Sequence, residues 1–311
     1  MEGLRALPAP RSALGPDEHR ANLAATEELI LAKLKELGYE VREEAIKWPI
    51  QERKWRTPGT EAKPVEEQKP AAEPVVLETR NLVVDIAGST HPTEVLLVGA
   101  HFDSFEGSGG ADDNGTGTAA LLELARTLKD SAPERTIRLV FFTLEENGLI
   151  GSRHHLALWK SKRATEEKLV GMISLEMLGY YTDAEGSQKS PIPAIKGVFE
   201  PPTVGNFIAV TGIKKHQAFS GKLGRVMDEA QDKVPVMMAD MFPIAPPDLL
   251  RSDHAPFLLD GIPAVMITDT ANFRNENYHK ASDTVETIDA ARFGAVVVAL
   301  DKAIRELSKH E

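Results

Sequence analysis

Two histidines and a set of acids stand in this chain where they could share a divalent metal. They are His101 in His101-Phe102-Asp103-Ser104, Asp113 in Asp112-Asp113-Asn114-Gly115-Thr116-Gly117, the pair Glu145-Glu146, Glu176, and His279 in Tyr278-His279. The chain has no cysteine. A metal would therefore be held by nitrogen and oxygen alone, a donor set that suits zinc with one position open for water. Charge balance points to a pair of ions: two Zn²⁺ are matched by Asp113, Glu146, Glu176 and one hydroxide, with neutral His101 and His279 completing the shells. In such a pair one carboxylate bridges, and water between the ions becomes a nucleophile at neutral pH. Asp103, two residues beyond His101 on an extended segment, faces the same way and can accept the imidazole's other N–H. Glu145 and Glu146 adjoin at a strand end, so their side chains diverge, and one can ligate while the other serves as general base.

Singly, each residue has a plainer role. A strand-end histidine is usually core or surface, adjacent glutamates are usually a solvated pair, and Asp-Asp-Asn-Gly favours a turn. What sets them apart is that they follow different apolar strands at the same end.

The elements that must position them can be read from periodicity. Asp17–Leu37 is expected as an amphipathic helix stopped by Gly38. Strands are expected at Val75–Ile86, Glu94–Ala100, Thr136–Thr143, Val170–Glu176, Asn206–Thr211 and Ala264–Thr268. Helices are expected at Gly117–Lys129, Leu149–Lys160, Gly221–Asp232, Ala255–Asp260 and Val285–Lys309. Near-continuous apolar strands alternating with helices predict an α/β fold with a largely parallel sheet covered on both faces. Ligands bind such sheets outside the carboxyl ends of the strands. The pattern is that of a single domain, 1–311, with a flexible insertion near 51–74, where Lys, Glu, Pro and Ala show no periodicity. Gly107-Ser108-Gly109-Gly110 has neither the spacing nor the Lys of a phosphate cradle and is expected as a turn.

Composition narrows the function. With 36 Lys+Arg against 47 Asp+Glu in 311 residues, the net charge is −11, which argues against a nucleic-acid surface. Apolar runs such as Phe293–Leu300 are far short of the roughly 20 residues a bilayer requires. Met1–Gly15 lacks the apolar stretch of a secretory signal, so a cytoplasmic location is expected of the sequence as it stands, and secretion if a signal has been trimmed.

At the residues above the chain resembles the co-catalytic zinc aminopeptidases, the family of bacterial leucyl aminopeptidases and glutamate carboxypeptidase II. The resemblance runs from about Asn22 to Leu307 and rests on His101–Ser104, Gly110–Gly117, Phe141–Ser152 and Tyr278-His279. It implies a three-layer αβα sandwich with a central mixed, mostly parallel sheet, and a zinc-dependent exopeptidase acting on peptides. By position it implies His101, Asp113 (bridging), Glu146, Glu176 and His279 as metal ligands, Glu145 as general base, and a cis Asp113–Asn114 peptide. Tyr278 lies where some members stabilise the oxyanion with a tyrosine hydroxyl; a packing aromatic is its plainer role. Glu176 stands where most members carry Asp, which bears on the second metal: two zinc ions are expected, with one as the alternative.

Other segments border the expected pocket. In Arg251–Phe257, Asp253 and His254 are expected to cap the next helix or pair with each other, and Arg251 is a candidate for a substrate carboxylate. His19, His91, His154, His155, His216 and His310 are expected at the surface. The loops Thr182–Pro202 and Val234–Leu250 are expected as pocket walls, with Met237, Met238, Met241 and Phe242 forming either an apolar specificity pocket or a satellite of the core. The leading function is a metallo-aminopeptidase. The alternatives are a glutaminyl cyclase-like acyl transferase with one zinc, or a non-catalytic binding module on the same fold.

Overall fold

The computed structural model describes residues 2–50, 75–161, 167–191, 193–194 and 200–310. The insertion expected near 51–74 lies outside them. Among the described residues, eight strands form one sheet: β1 (Arg42–Pro49), β2 (Val76–Ile86), β3 (His91–His101), β4 (Arg135–Phe142), β5 (Lys168–Glu176), β6 (Ile208–Thr211), β7 (Val236–Ala239) and β8 (Ala264–Thr268). Their order is β1-β2-β4-β3-β5-β8-β6-β7. The central strands β4, β3, β5 and β8 run parallel, while β1, β2 and β6 pair antiparallel to their inner neighbours. The helices are α1 (Glu2–Arg5), α2 (Asp17–Glu36), α3 (Gly117–Leu128), α4 (Ile150–Ser161), α5 (Gln217–Glu229), α6 (His254–Leu259) and α7 (Ala290–Leu307).

Central strands buried on both faces need apolar residues in succession rather than in alternation. In β3, Leu96 and Val98 pack into the larger core with Leu121 and Leu124 of α3 and Leu300 of α7, whereas Val95 and Leu97 join Leu156 of α4 and Phe257 of α6. Helices on both faces make the molecule a mixed α/β layered fold, as expected.

Three expectations are corrected. Strands β1 and β7 were not expected. β1 carries charged residues, with burial only at alternate positions, and β7 has four residues, so neither shows a long apolar run. The expected helix over Val285–Lys309 is broken. A short 3₁₀ turn at Val285–Thr287 precedes α7, and Asp289 caps α7 by accepting from the backbone N–H of Ala291 and Arg292. His155 is buried rather than exposed, and Glu44 of β1 accepts from its Nδ1 at 2.9 Å.

Candidate metal centre

Parallel register brings the strand ends level. His101, the last residue of β3, lies opposite Phe142 of β4; Gly99 lies opposite Ser174 of β5; and Glu176, the last of β5, lies opposite Thr268 of β8. The chain turns sharply at these ends. Leu144 (φ 56°), Met177 (φ 51°) and His279 (φ 59°) all adopt the left-handed region, which non-glycine residues enter at a cost that clusters at functional sites. Leu144 immediately precedes the two glutamates, and Met177 immediately follows Glu176.

The expected residues converge. His101 Nε2 lies 3.6 Å from Asp113 Oδ1, 3.2 Å from Glu176 Oε2 and 4.0 Å from Glu145 Oε2. His279 Nε2 lies 3.2 Å from Asp113 Oδ2 and 3.3 Å from Glu146 Oε2. Two groups of donor atoms result, His101–Glu145–Glu176 and Asp113–Glu146–His279, each within 4.8 Å. Asp113 turns one oxygen to each histidine, and Glu145 and Glu146 diverge into different groups.

Hydrogen bonds hold these side chains from behind. The Asp113–Asn114 peptide is cis. The Asn114 amide donates to the Leu175 carbonyl at 2.8 Å and accepts from the Gly117 and Met177 N–H, each at 3.1 Å. Asp283 accepts from the N–H of Asp112 and Asp113 at 2.9 and 3.1 Å. Ser252 donates to Glu176 Oε2 at 2.7 Å. The ring of His279 is sandwiched between Tyr278 and Phe105, at 3.8 and 4.1 Å between centroids.

Asp103 differs from expectation. The group nearest His101 Nδ1 is the Asp103 backbone carbonyl, at 3.1 Å, with its carboxylate oxygen at 3.5 Å. The carboxylate instead accepts from the N–H of Glu145 and of Glu146, at 3.1 and 3.2 Å. Asp253 makes no capping bond, and its neighbour His254 donates from Nε2 to the Leu249 carbonyl at 2.7 Å, so the two do not pair. Arg251 donates to Asn272 and, at 2.9 Å, to the Tyr278 hydroxyl. Sequence reasoning gave no role to Asp283, Ser252 or Phe105: Ser252 lies in the segment expected to border the pocket and Phe105 directly follows the His101–Ser104 motif, but their contacts are set by the fold.

The electrostatics fit a cation. Burial, together with the charges of Glu146, Glu176 and Asp253, holds Glu145 well above the ordinary carboxylate range against the opposing pull of His101. Burial and the charge of Asp113 push Glu146 up to about 7. His279 rises to about 9 despite burial, because Asp113 and Glu146 bond to its charged form. Acids crowded in this way repel unless positive charge sits among them. Glu146 Oε1 is buried without a hydrogen-bond partner, a lone pair free for a metal. The donor set is imidazole and carboxylate only, which zinc accepts.

A cluster of this kind, at the carboxyl edge of a helix-covered sheet, is the place and the donor set that a metal-dependent hydrolase would use. The profile of Peptidase family M28 matches residues 81–302, and the chain belongs to that family. Its enzyme class is accordingly that of a hydrolase acting on peptide bonds. The uncharacterized protein YfbL of Escherichia coli is 35% identical over 231 residues, covering 70% of this chain and 68% of that one. The chain spans about half the length of fungal probable zinc metalloproteases that it also matches. Among solved structures, BSAP, a zinc aminopeptidase from Bacillus subtilis, superposes with a TM-score of 0.71 at 18% identity, over 100% of this chain and 94% of that one. Glutaminyl cyclase from Fimbriiglobus ruber superposes with 0.68 at 18% identity, over 98% and 93%. At those identities the likeness is one of fold.

Proposed function

We propose that this chain is a zinc-dependent aminopeptidase that holds two zinc ions. The observation that carries the proposal is the two-sided Asp113, whose oxygens face His101 at 3.6 Å and His279 at 3.2 Å, as a bridging carboxylate requires. His101 and Glu176 would hold one ion and His279 and Glu146 the other, with Asp113 shared. When bound, the ions act as Lewis acids toward the scissile carbonyl and lower the pKa of water at the site.

Glu145 stands among the donors of the first group, but this arrangement does not require it as a ligand. Lying beside the donors of the first ion, with Oε2 4.0 Å from His101 Nε2, it suits a group that takes a proton from the attacking water and returns it to the leaving amine. The Tyr278 hydroxyl accepts from Arg251, so its own proton is free to be donated to the developing oxyanion. An apolar cleft opens beside Glu176 and Tyr278, walled by Phe207, Met237, Met241, Phe242, Met266 and Phe273. It would take an apolar side chain on the substrate's N-terminal residue, whose α-amino group would lie among the acids.

A panel of aminoacyl-nitroanilides, run beside elemental analysis, tests the reading. Turnover is expected for Leu, Met and Phe derivatives, with loss on chelation and on acetylation of the α-amino group. Ammonia release from Gln-initiated peptides without cleavage would replace it with the cyclase reading. A protein with neither zinc nor turnover would replace it with the binding module.

A further inference from the structure

Arg11 lies outside the residues matched by the family profile, yet it heads the largest fully buried side chains and is only 1% exposed. No carboxylate forms an ion pair with it among the described residues. Its guanidinium is spent on backbone carbonyls: Nε donates to Phe102 at 2.5 Å, Nη2 to Gly110 at 2.6 Å and Nη1 to Pro8 at 3.5 Å. The backbone joins in, since Arg11 accepts from the Ser104 N–H at 2.9 Å and its own N–H donates to Ser104 Oγ at 3.1 Å.

Phe102 directly follows His101, and Gly110 stands three residues before Asp113. One planar fork therefore grips the loop between these two residues at its entrance and its exit. The fit is close. Gly110 has φ +63°, and a Cβ there would lie 2.8 Å from the Ser104 side chain and 3.0 Å from Arg11 Nη1. The arm that delivers the fork is anchored by Leu4, Leu7 and Ala13 in the large core. Burial disfavours the charged guanidinium, while the charges of Asp283, Asp103, Asp113 and Glu146 favour it, so the cation also offsets part of the acidity around the centre.

We propose that Arg11 is a positioning residue of the metal centre, its fork setting the separation of His101 and Asp113 by tying both ends of the loop between them. The proposal rests on the reading that these two residues hold metal. Arg and Lys are not equivalent in such a role, because a guanidinium reaches two diverging carbonyls where an ammonium reaches one. Outer groups that orient metal ligands are typically worth 10–100-fold in affinity.

The test compares zinc-loaded wild type with Arg11→Lys and Arg11→Met, following zinc release to a chromogenic chelator, kcat and KM at saturating zinc, and thermal unfolding of the metal-free forms. Both variants are expected to release zinc at least roughly tenfold faster and to lower kcat, with KM held within about twofold. A residue of purely structural value would lower the metal-free unfolding midpoint and leave zinc release unchanged. Wild-type release in either variant overturns the proposal. Recovery in Arg11→Lys alone also overturns it, by assigning the effect to charge rather than to the fork. Arg11→Lys keeps the charge and most of the volume, so it decides the matter should Arg11→Met not fold. A wild-type protein that holds no zinc would instead strike at the metal reading itself.

Discussion

Replacing Asp103 with Asn separates two roles for this residue. Asp103 is 1% exposed, and its two oxygens serve the N–H of Glu145 and of Glu146 at 3.1 and 3.2 Å. Asn has nearly the same shape but a single acceptor, so one of the two N–H groups would face an NH₂ and be left buried without a partner. That costs about 1–3 kcal/mol. If about 2 kcal/mol is felt where Glu145 and Glu146 must be aligned, kcat/KM falls roughly 30-fold, since each 1.36 kcal/mol is a factor of ten. Asp103→Ala frees both N–H groups, and doubling the cost gives roughly 1,000-fold as its ceiling. Zinc content should hold in Asp103→Asn, because the group nearest His101 Nδ1 is the backbone carbonyl, at 3.1 Å, which the substitution keeps. The assay is steady-state hydrolysis of an aminoacyl-nitroanilide, with zinc stoichiometry measured on the same sample. A kcat/KM within threefold of wild type at full zinc would refute the reasoning. Loss of zinc in proportion to activity would restore the role in which the carboxylate serves the imidazole.

Other outcomes follow from the same geometry. Glu145→Gln keeps the shape of the side chain and removes its basicity, so turnover should fall roughly 10²–10⁴-fold with zinc content unchanged; elemental analysis beside kinetics checks it. Chelation should abolish turnover and lower the unfolding midpoint, with added zinc restoring both, because crowded carboxylates lose the charge that offsets their repulsion; calorimetry with and without chelator reads this. Away from the centre, burial raises the Glu44 carboxyl, but its hydrogen bond and charge interaction with His155, with help from Asn81 and Arg42, bring it down to about 2. A depressed folded-state pKa stabilises the fold above the unfolded value of 4.5, and that stability, about 3 kcal/mol, is lost as pH falls from there toward about 2. Denaturant melts of wild type and Glu44→Gln should therefore differ at neutral pH and converge as the solution is acidified. A gap that stays constant down to pH 3 would contradict the assignment.

What could be read from the chain divides along a physical line. Central strands announce themselves because burial on both faces demands apolar runs: β8 lies where the run Ala264–Thr268 placed it, and β3, β4 and β5 end at His101, Phe142 and Glu176, so the chemistry at their carboxyl ends was visible with them. Edge strands carry no such demand. Arg42–Pro49 alternates charge with burial, and its one buried acid, Glu44, is explained by Asn81 at 3.2 Å on the neighbouring strand and by His155 at 2.9 Å across the fold, the latter a partner over a hundred residues away in sequence. Asp103 shows the same limit at closer range. Its spacing from His101 told that the two would meet, but the choice between carbonyl and carboxylate was made by the bend after Leu144, which delivers the N–H groups of Glu145 and Glu146 to the carboxylate. Ligand types and their order are thus fixed locally by each strand end, whereas the groups that aim the ligands come from wherever the packed fold brings a donor or acceptor within about 3 Å. Arg11 is the extreme case. Pro-Ala-Pro-Arg-Ser carries neither periodicity nor motif, yet its arginine ends between Phe102 and Gly110, on an arm whose Leu4, Leu7 and Ala13 are packed in the large core.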